Sequence, residues 1–353
     1  MNPKTLMMLP TVVHVIHQGE AVGIGSNISD AAILGALDCV NDRFDGSMGS
    51  GASASIEFCL ASVDPIGAAT TGIHRVDGNQ FSGYVSEGLK FPFSVCNGPD
   101  HYTVAQAVGW PVQQYYNVYL VWDICGNSWI GGFAEMPSGA LQYTDGAYIT
   151  TSMFTCPQTL ATHEFGHSMG LYHTFNGENG VACPTNTDCL NQGDIVCDTP
   201  PHRSSDCGNM NPCQTDQSDW PNSLHNYMSY CFGLDRFSAE QIVRMRSVIS
   251  TQRQALVTSG ACSGNIGINE LSASSAEPVE LTFFQMGEDG LEVAASEGML
   301  DIVMLDMLGR TVAALELSGS PKNAYIELPD AKGAHIIRVH HVRGFSSQLV
   351  VVE

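Results

Sequence analysis

The segment His163-Glu164-Phe165-Gly166-His167-Ser168-Met169-Gly170-Leu171-Tyr172-His173 constrains this chain more than any other stretch. His163 and His167 are four apart, so on a helix they stand one turn above each other on one face. Two imidazoles so placed reach a single tetrahedral Zn²⁺. Glu164, beside the first, is placed to take a proton from a metal-held water without being a ligand. Gly170 lets the backbone leave the helix in a left-handed conformation. That turn brings His173 back as a third ligand, whereas a continuous helix would carry it off the metal-facing side. Three neutral imidazoles leave a fourth position for water, whose pKa falls to about 7 on zinc. H-E-x-x-H alone recurs by chance; the longer pattern with its Gly and third His is far more specific.

Around this segment the periodicities read as an α+β domain. Thr11–His17 (TVVHVIH) is β-branched and reads as a strand. After a turn rich in Gly and Asn, Ser29 or Asp30 caps a helix on which Ile33, Leu37, Val40 and Phe44 recur at helical spacing. Ile56, Phe58 and Leu60 alternate as in a half-buried strand. Val118–Trp122 and Tyr148–Thr150 read as two more strands, and Leu160–Tyr172 as a helix with Gly170 near its end. From Phe175 to Tyr230 the chain is loop-like and rich in cysteine; a loop this long is functional, covalently tied, or both. A last helix starts at Ser238, whose hydroxyl caps it while Gln241 completes a capping box. Ile242, Met245, Ile249 and Leu256 form its buried stripe.

The 353 residues suggest two domains. After Cys262 the run Ser263–Glu280 is small and polar and reads as a linker. Beyond it Leu281–Gln285, Leu300–Asp306, Tyr325–Leu328, Ile336–Val342 and Gln348–Val352 alternate with Gly-containing turns. The expected organisation is a catalytic domain over 1–262, a linker over 263–280 and a small all-β sandwich over 281–353.

Acidic residues number 36 against 14 basic, a formal charge of −22. That field repels a phosphate backbone, so no nucleic-acid partner is expected. No run of about 18 uncharged apolar residues exists, so no transmembrane segment is expected either. The 12 cysteines are even in number and scattered rather than paired as C-x-x-C. They read as disulfides of an oxidising compartment; the alternative is a cytosolic protein with buried thiols. Met1–Pro10 is not a convincing secretion leader, because Leu6–Leu9 is shorter than the roughly 7–15 apolar residues one needs. A leader, with or without a propeptide, is expected to have been trimmed.

The eleven-residue pattern resembles that of the metzincin metallopeptidases, which also carry a methionine turn beneath the metal. Asn226-Tyr227-Met228-Ser229-Tyr230 is similar to that turn. The resemblance implies Met228 as the floor of the site and Tyr230 as an oxyanion-stabilising hydroxyl. An ordinary core Met and a wall Tyr are the plainer alternatives. Over Thr11–Thr258 the chain resembles the pappalysin family and its ulilysin-like bacterial members. TVVHVIH is similar to the opening strand, Ile56–Ala61 (IEFCLA) to the second, and Gly131–Pro137 (GGFAEMP) to the rim strand above the cleft. Asp198-Thr199-Pro200 matches a D-T-P element, and Phe237–Met245 (FSAEQIVRM) the closing helix.

That resemblance implies a metzincin-type zincin domain: a twisted mixed sheet, an active-site helix and a Met-turn. It implies a zinc endopeptidase, secreted or at the cell surface, acting on proteins or peptides, with His163, His167 and His173 on Zn²⁺ and Glu164 as general base. It also implies the disulfides Cys183–Cys213 and Cys207–Cys231; Cys189 and Cys197 could pair locally, and the other six stay open. Family members bind Ca²⁺ after the zinc helix, where Asp188, Asp194 and Asp198 are hard oxygen ligands; a solvated acidic loop is the alternative. They favour a basic residue after the cleaved bond through acidic groups beyond the Met-turn, and Asp235 is the candidate here. Asp306–Val312, Gly333–Val339 and Gln348–Glu353 resemble the sorting domains of type IX secretion, which implies secretion machinery as a partner. The usual Pro-Asn-Pro opening is absent and His335 stands where a Tyr is common, so a carbohydrate-binding or generic sandwich remains open. Two rival functions remain: a secreted binding protein with an inert zinc domain, which Glu164 argues against, and a zinc hydrolase of non-peptide substrates.

Overall fold

The β-branched run at Thr11 belongs to a longer strand, β1 (Met7–His17), so Met7–Pro10 is part of a sheet. The computed structural model describes residues 5–92, 94–126, 129–137, 142–262, 281–285, 290–295, 298–306, 311–327, 333–341 and 344–352. The chain divides into two compact units, Met1–Gly264 and Asn265–Glu353. In the first, β1 is followed by α1 (Asp30–Asp45), β2 (Ile56–Leu60), β3 (Ile73–Asp77), α2 (Tyr84–Glu87), α3 (His101–Val108) and β4 (Tyr116–Val121). Then come β5 (Gly132–Ala134), β6 (Ala147–Thr150), α4 (Leu160–Ser168), α5 (Trp220–Leu224), α6 (Ala239–Gln252) and α7 (Gln254–Thr258).

The strands lie in the order β2-β1-β4-β6-β5, with β3 also on β1. All pairs are parallel except β5 with β6. Strand β4 is buried along its whole length, as expected of a parallel strand covered on both faces. The three-residue β5 closes one edge. Ser29 caps α1 by accepting from the Ala32 amide, and Ile33, Leu37, Val40 and Phe44 all point into the core. There Phe44, Phe58, Tyr116, Phe165 and Phe237 meet at ring-centroid distances of 4.7–5.5 Å, the spacing that aromatic pairs favour. This cluster backs α4.

The capping box forms at Ser238 and Gln241. Leu256, expected on the same helix, lies on α7 and is buried. The long loop holds only the short α5 and is tied by Cys183–Cys213, Cys189–Cys197 and Cys207–Cys231. The remaining pairs are Cys39–Cys156, Cys59–Cys262 and Cys96–Cys125.

The second unit holds β7 (Leu281–Gln285), β8 (Gly290–Ala295), β9 (Met299–Asp306), β10 (Thr311–Glu316), β11 (Asn323–Glu327), β12 (Gly333–His341) and β13 (Gly344–Val352). They form antiparallel sheets β10-β9-β12-β13 and β11-β8-β7. Val293 and Ile326 of one sheet share a core with Ile302, Met304, Ile337 and Val339 of the other, which makes a sandwich. Strands β8 and β10 escaped the sequence reading because their alanines weaken the β-signal. The expected linker 263–280, and 307–310 of the segment that resembles sorting domains, lie outside the described residues.

Candidate active site

Helix α4 is held at both ends by arginines. At its start, the buried Arg43 of α1 donates to the carbonyls of Pro157 and Gln158, both at 2.8 Å, and Cys39–Cys156 ties the same stretch to α1. The helix ends at Ser168, earlier than the expected Tyr172. The reason is Gly170, whose φ is +89°: its amide returns to the His167 carbonyl and the Leu171 amide to the Gly166 carbonyl, a Schellman stop. A Cβ on Gly170 would lie 2.8 Å from Val248 of α6. Beyond the stop, Arg253 donates to the Ser168 carbonyl at 2.9 Å and Arg244 to the Gly170 carbonyl at 2.7 Å, cations where the helix dipole favours them. Arg253 is fully buried against Asp145.

The early exit brings three imidazoles together. The Nε2 atoms of His163, His167 and His173 are 3.0–3.2 Å apart. His163 Nδ1 donates to the Tyr227 carbonyl and His167 Nδ1 to the Leu171 carbonyl, both at 2.7 Å. A carbonyl only accepts, so these rings carry their proton on Nδ1 and turn the Nε2 lone pair toward the centre. Burial, then the neighbouring imidazoles, holds His163 and His173 far below the usual histidine range, His173 at about 3; burial lowers His167 as well. Neutral, converging donors are what a metal requires.

Glu164 is buried, and burial pushes its carboxyl up to about 8. Strand β5 runs beside it, since a Cβ on Gly132 would lie 3.4 Å from Glu164 Cγ. The Tyr230 hydroxyl is 3.2 Å from His173 Nε2 on an exposed side chain. Burial, and then the charge of Glu164, raises its pKa.

Met228 is fully buried beneath α4. Its sulfur sits where a Cβ on Gly166 would be only 2.5 Å away, so Gly166 is the residue that admits the turn. Asn226 accepts from the Met228 amide at 2.9 Å and forms a reciprocal amide pair with Gln241. The capping glutamine of α6 thus also holds the turn below the imidazoles. Sequence reasoning missed Gly166 and Asn226; a glycine inside a helical motif was the one available signal for the first. Cys231, directly after Tyr230, pairs with Cys207.

Residues 100–250 match the family model of pregnancy-associated plasma protein-A, which describes the pappalysins. Over those residues the chain is similar to the pappalysins. The fold is similar to that of mature mirolysin of Tannerella forsythia, solved in complex with a cleaved peptide: 24% identity, 73% of this chain and 98% of that one, TM-score 0.53. An extracellular metalloprotease of Arthroderma gypseum is 41% identical over 24% of this chain and 27% of its own length. Extracellular metalloprotease 1 of Coccidioides posadasii is 33% identical over 37% of this chain and 48% of its own. The chain thus spans about a quarter to a half of the curated relatives it matches.

Two expectations drawn from the pappalysin resemblance meet a different geometry. Among the described residues the three imidazoles are the one group of three or more ligand side chains gathered closely enough for a metal, so Asp188, Asp194 and Asp198 do not form a cluster. Each has protein partners instead. Asp188 accepts from Asn191, Asp194 from Thr199, and Asp198 from the Ser238 hydroxyl and the Glu240 amide at the start of α6. Asp235 pairs with Arg236 and accepts from Ser50, so its charge is neutralised at home.

Proposed function

We propose that the chain is a secreted zinc endopeptidase hydrolysing peptide bonds in proteins or peptides. The observation that carries this reading is the triangle of Nε2 atoms at 3.0–3.2 Å, with the lone pairs of His163 and His167 turned inward. Tetrahedral ligands on zinc sit about 3.3 Å apart for Zn–N distances of about 2.0–2.1 Å, so His163, His167 and His173 fit it. When bound, the ion supplies Lewis acidity, polarising a carbonyl and acidifying a water. Glu164 takes the proton of the attacking water and passes it to the departing amine; a carboxyl lifted by burial suits both transfers near neutral pH. The Tyr230 hydroxyl donates to the developing oxyanion. Strand β5 ends the sheet, and its outer edge can pair with an extended peptide.

Six disulfides and relatives named as extracellular support secretion, and no described helix is long and apolar enough to cross a membrane. In this reading the C-terminal sandwich is a sorting or attachment module that meets secretion machinery. Calcium enters in narrower form. Asn186 Oδ1 is buried with no partner among the described residues, and a Cβ on Gly193, beside Asp194, would lie 3.5 Å from it; a hard cation would satisfy it. The test is Glu164→Gln, expected to abolish peptide cleavage with zinc retained. His173→Ala is expected to lower both. Near-normal turnover in the Glu164 variant overturns the assignment.

A further inference from the structure

The three imidazoles are not held alike. His163 and His167 are each oriented by a carbonyl on Nδ1. No described residue hydrogen-bonds Nδ1 of His173, whose ring is half-buried. What touches that ring is aromatic. Phe175 lies parallel to it, centroids 4.7 Å apart and planes 10° apart. Tyr230 meets both rings, at 4.9 Å and 4.7 Å.

Phe175 is itself wedged from behind. His202 meets it edge-on at 5.9 Å and meets Trp220 at 5.3 Å. His202 is fully buried and has one tautomer available. Its Nδ1 donates to the Arg203 carbonyl at 2.8 Å, which leaves Nε2 to accept the Thr174 hydroxyl at 2.7 Å. The Thr174 amide donates to the Met228 carbonyl at 3.2 Å. The residue between His173 and Phe175 is therefore pinned to the Met-turn on one side and to His202 on the other.

We propose that Phe175 is a positioning residue for His173, its stacked ring replacing the carbonyl that orients the other two imidazoles, with His202 and Thr174 holding Phe175 in place. Rotation of the His173 ring swings Nε2 away from the centre. Stacking restricts the plane of that ring, and the Tyr230 hydroxyl marks the Nε2 edge. The inference rests on the zinc reading above. Partners that orient a metal-binding imidazole are worth about 10–100-fold in metal affinity, and a stacked pair belongs at the lower end.

Two measurements test it. In the metal-free wild-type chain, ¹⁵N-histidine NMR is expected to show His163 and His167 with the proton on Nδ1, and His173 with it on Nε2 for a substantial share of the time. A His173 locked as the Nδ1–H tautomer would reveal a partner and overturn the proposal, with no variant required. In zinc titrations against a chromogenic chelator, Phe175→Leu is expected to bind about tenfold more weakly, with the metal-free chain still unfolding in a single cooperative transition. Phe175→Tyr, which keeps the stack, should stay within about twofold. A Phe175→Leu affinity within about twofold of wild type overturns the proposal. Should that variant not fold, the tautomer measurement decides alone. A wild type that binds no zinc would instead sink the reading of the whole site.

Discussion

Burial lifts the Glu164 carboxyl from its ordinary 4.5 to about 8. The unfolded chain therefore ionises it near pH 4.5 while the folded, metal-free chain keeps it protonated to about pH 8. Stability falls across that window, because the folded state binds the extra proton. Glu164→Gln removes this titration, so the metal-free variant should lose less melting temperature than wild type between pH 5 and 8. Equal losses would show that Glu164 does not titrate in this way. For Tyr230→Phe the expected outcome is a fall in kcat of about 10–1000-fold, the range for losing one oxyanion donor. An unchanged kcat would make Tyr230 a wall of the cleft. Both side chains were legible in the sequence through the motifs around them. Asn226, Gly166 and Phe175 were not, since their roles depend on a helix or ring brought to them by folding.

At the scale of elements, the sharp end of α4 governs the site. Gly170 occupies a left-handed conformation that costs other residues roughly 1–2 kcal/mol, and a methyl there also meets Val248. Gly170→Ala is expected to lose at least about 1–2 kcal/mol in chemical denaturation and to weaken zinc binding, because His173 follows the turn. A variant with wild-type stability and zinc affinity would show that the backbone reaches His173 by another route. The loop tied by Cys183–Cys213 makes a second prediction. Adding calcium to the zinc-loaded, calcium-stripped protein should raise its melting temperature by mass action, and Asn186→Ala should shrink that rise. Identical melting with and without calcium refutes the site. The elements themselves were largely visible: α1, α6 and the core strands follow apolar periodicity and caps, which are local. The end of α4 was misjudged by a few residues, because a glycine signals a stop without saying which turn takes it.

For the whole molecule, the proposed ligands, base, Met-turn and all six disulfides lie in the first unit, with Cys262 closing it onto Cys59. Expressing Met1–Cys262 alone should therefore preserve kcat/KM on a peptide substrate. A fragment that folds and binds zinc but has lost most activity would show that the C-terminal sandwich contributes to the cleft.

The sequence by itself determined the chemistry of the site: three imidazoles, one carboxylate, a glycine to break the helix and a methionine turn to floor it. Spacing along one helix and one turn is short-range geometry, and it holds wherever the helix forms. Only the tertiary structure decided what surrounds them. Cys39 finds Cys156 at a separation of 117 residues and Cys59 finds Cys262 at 203, which no local pattern foretells. Asp198, in a loop that suggested a cation, meets the first residues of α6, and Asp235 meets Arg236 and Ser50. A carboxylate's role is set by which donor the fold brings within about 3 Å of it, and that distance exists only once distant segments have closed on one another.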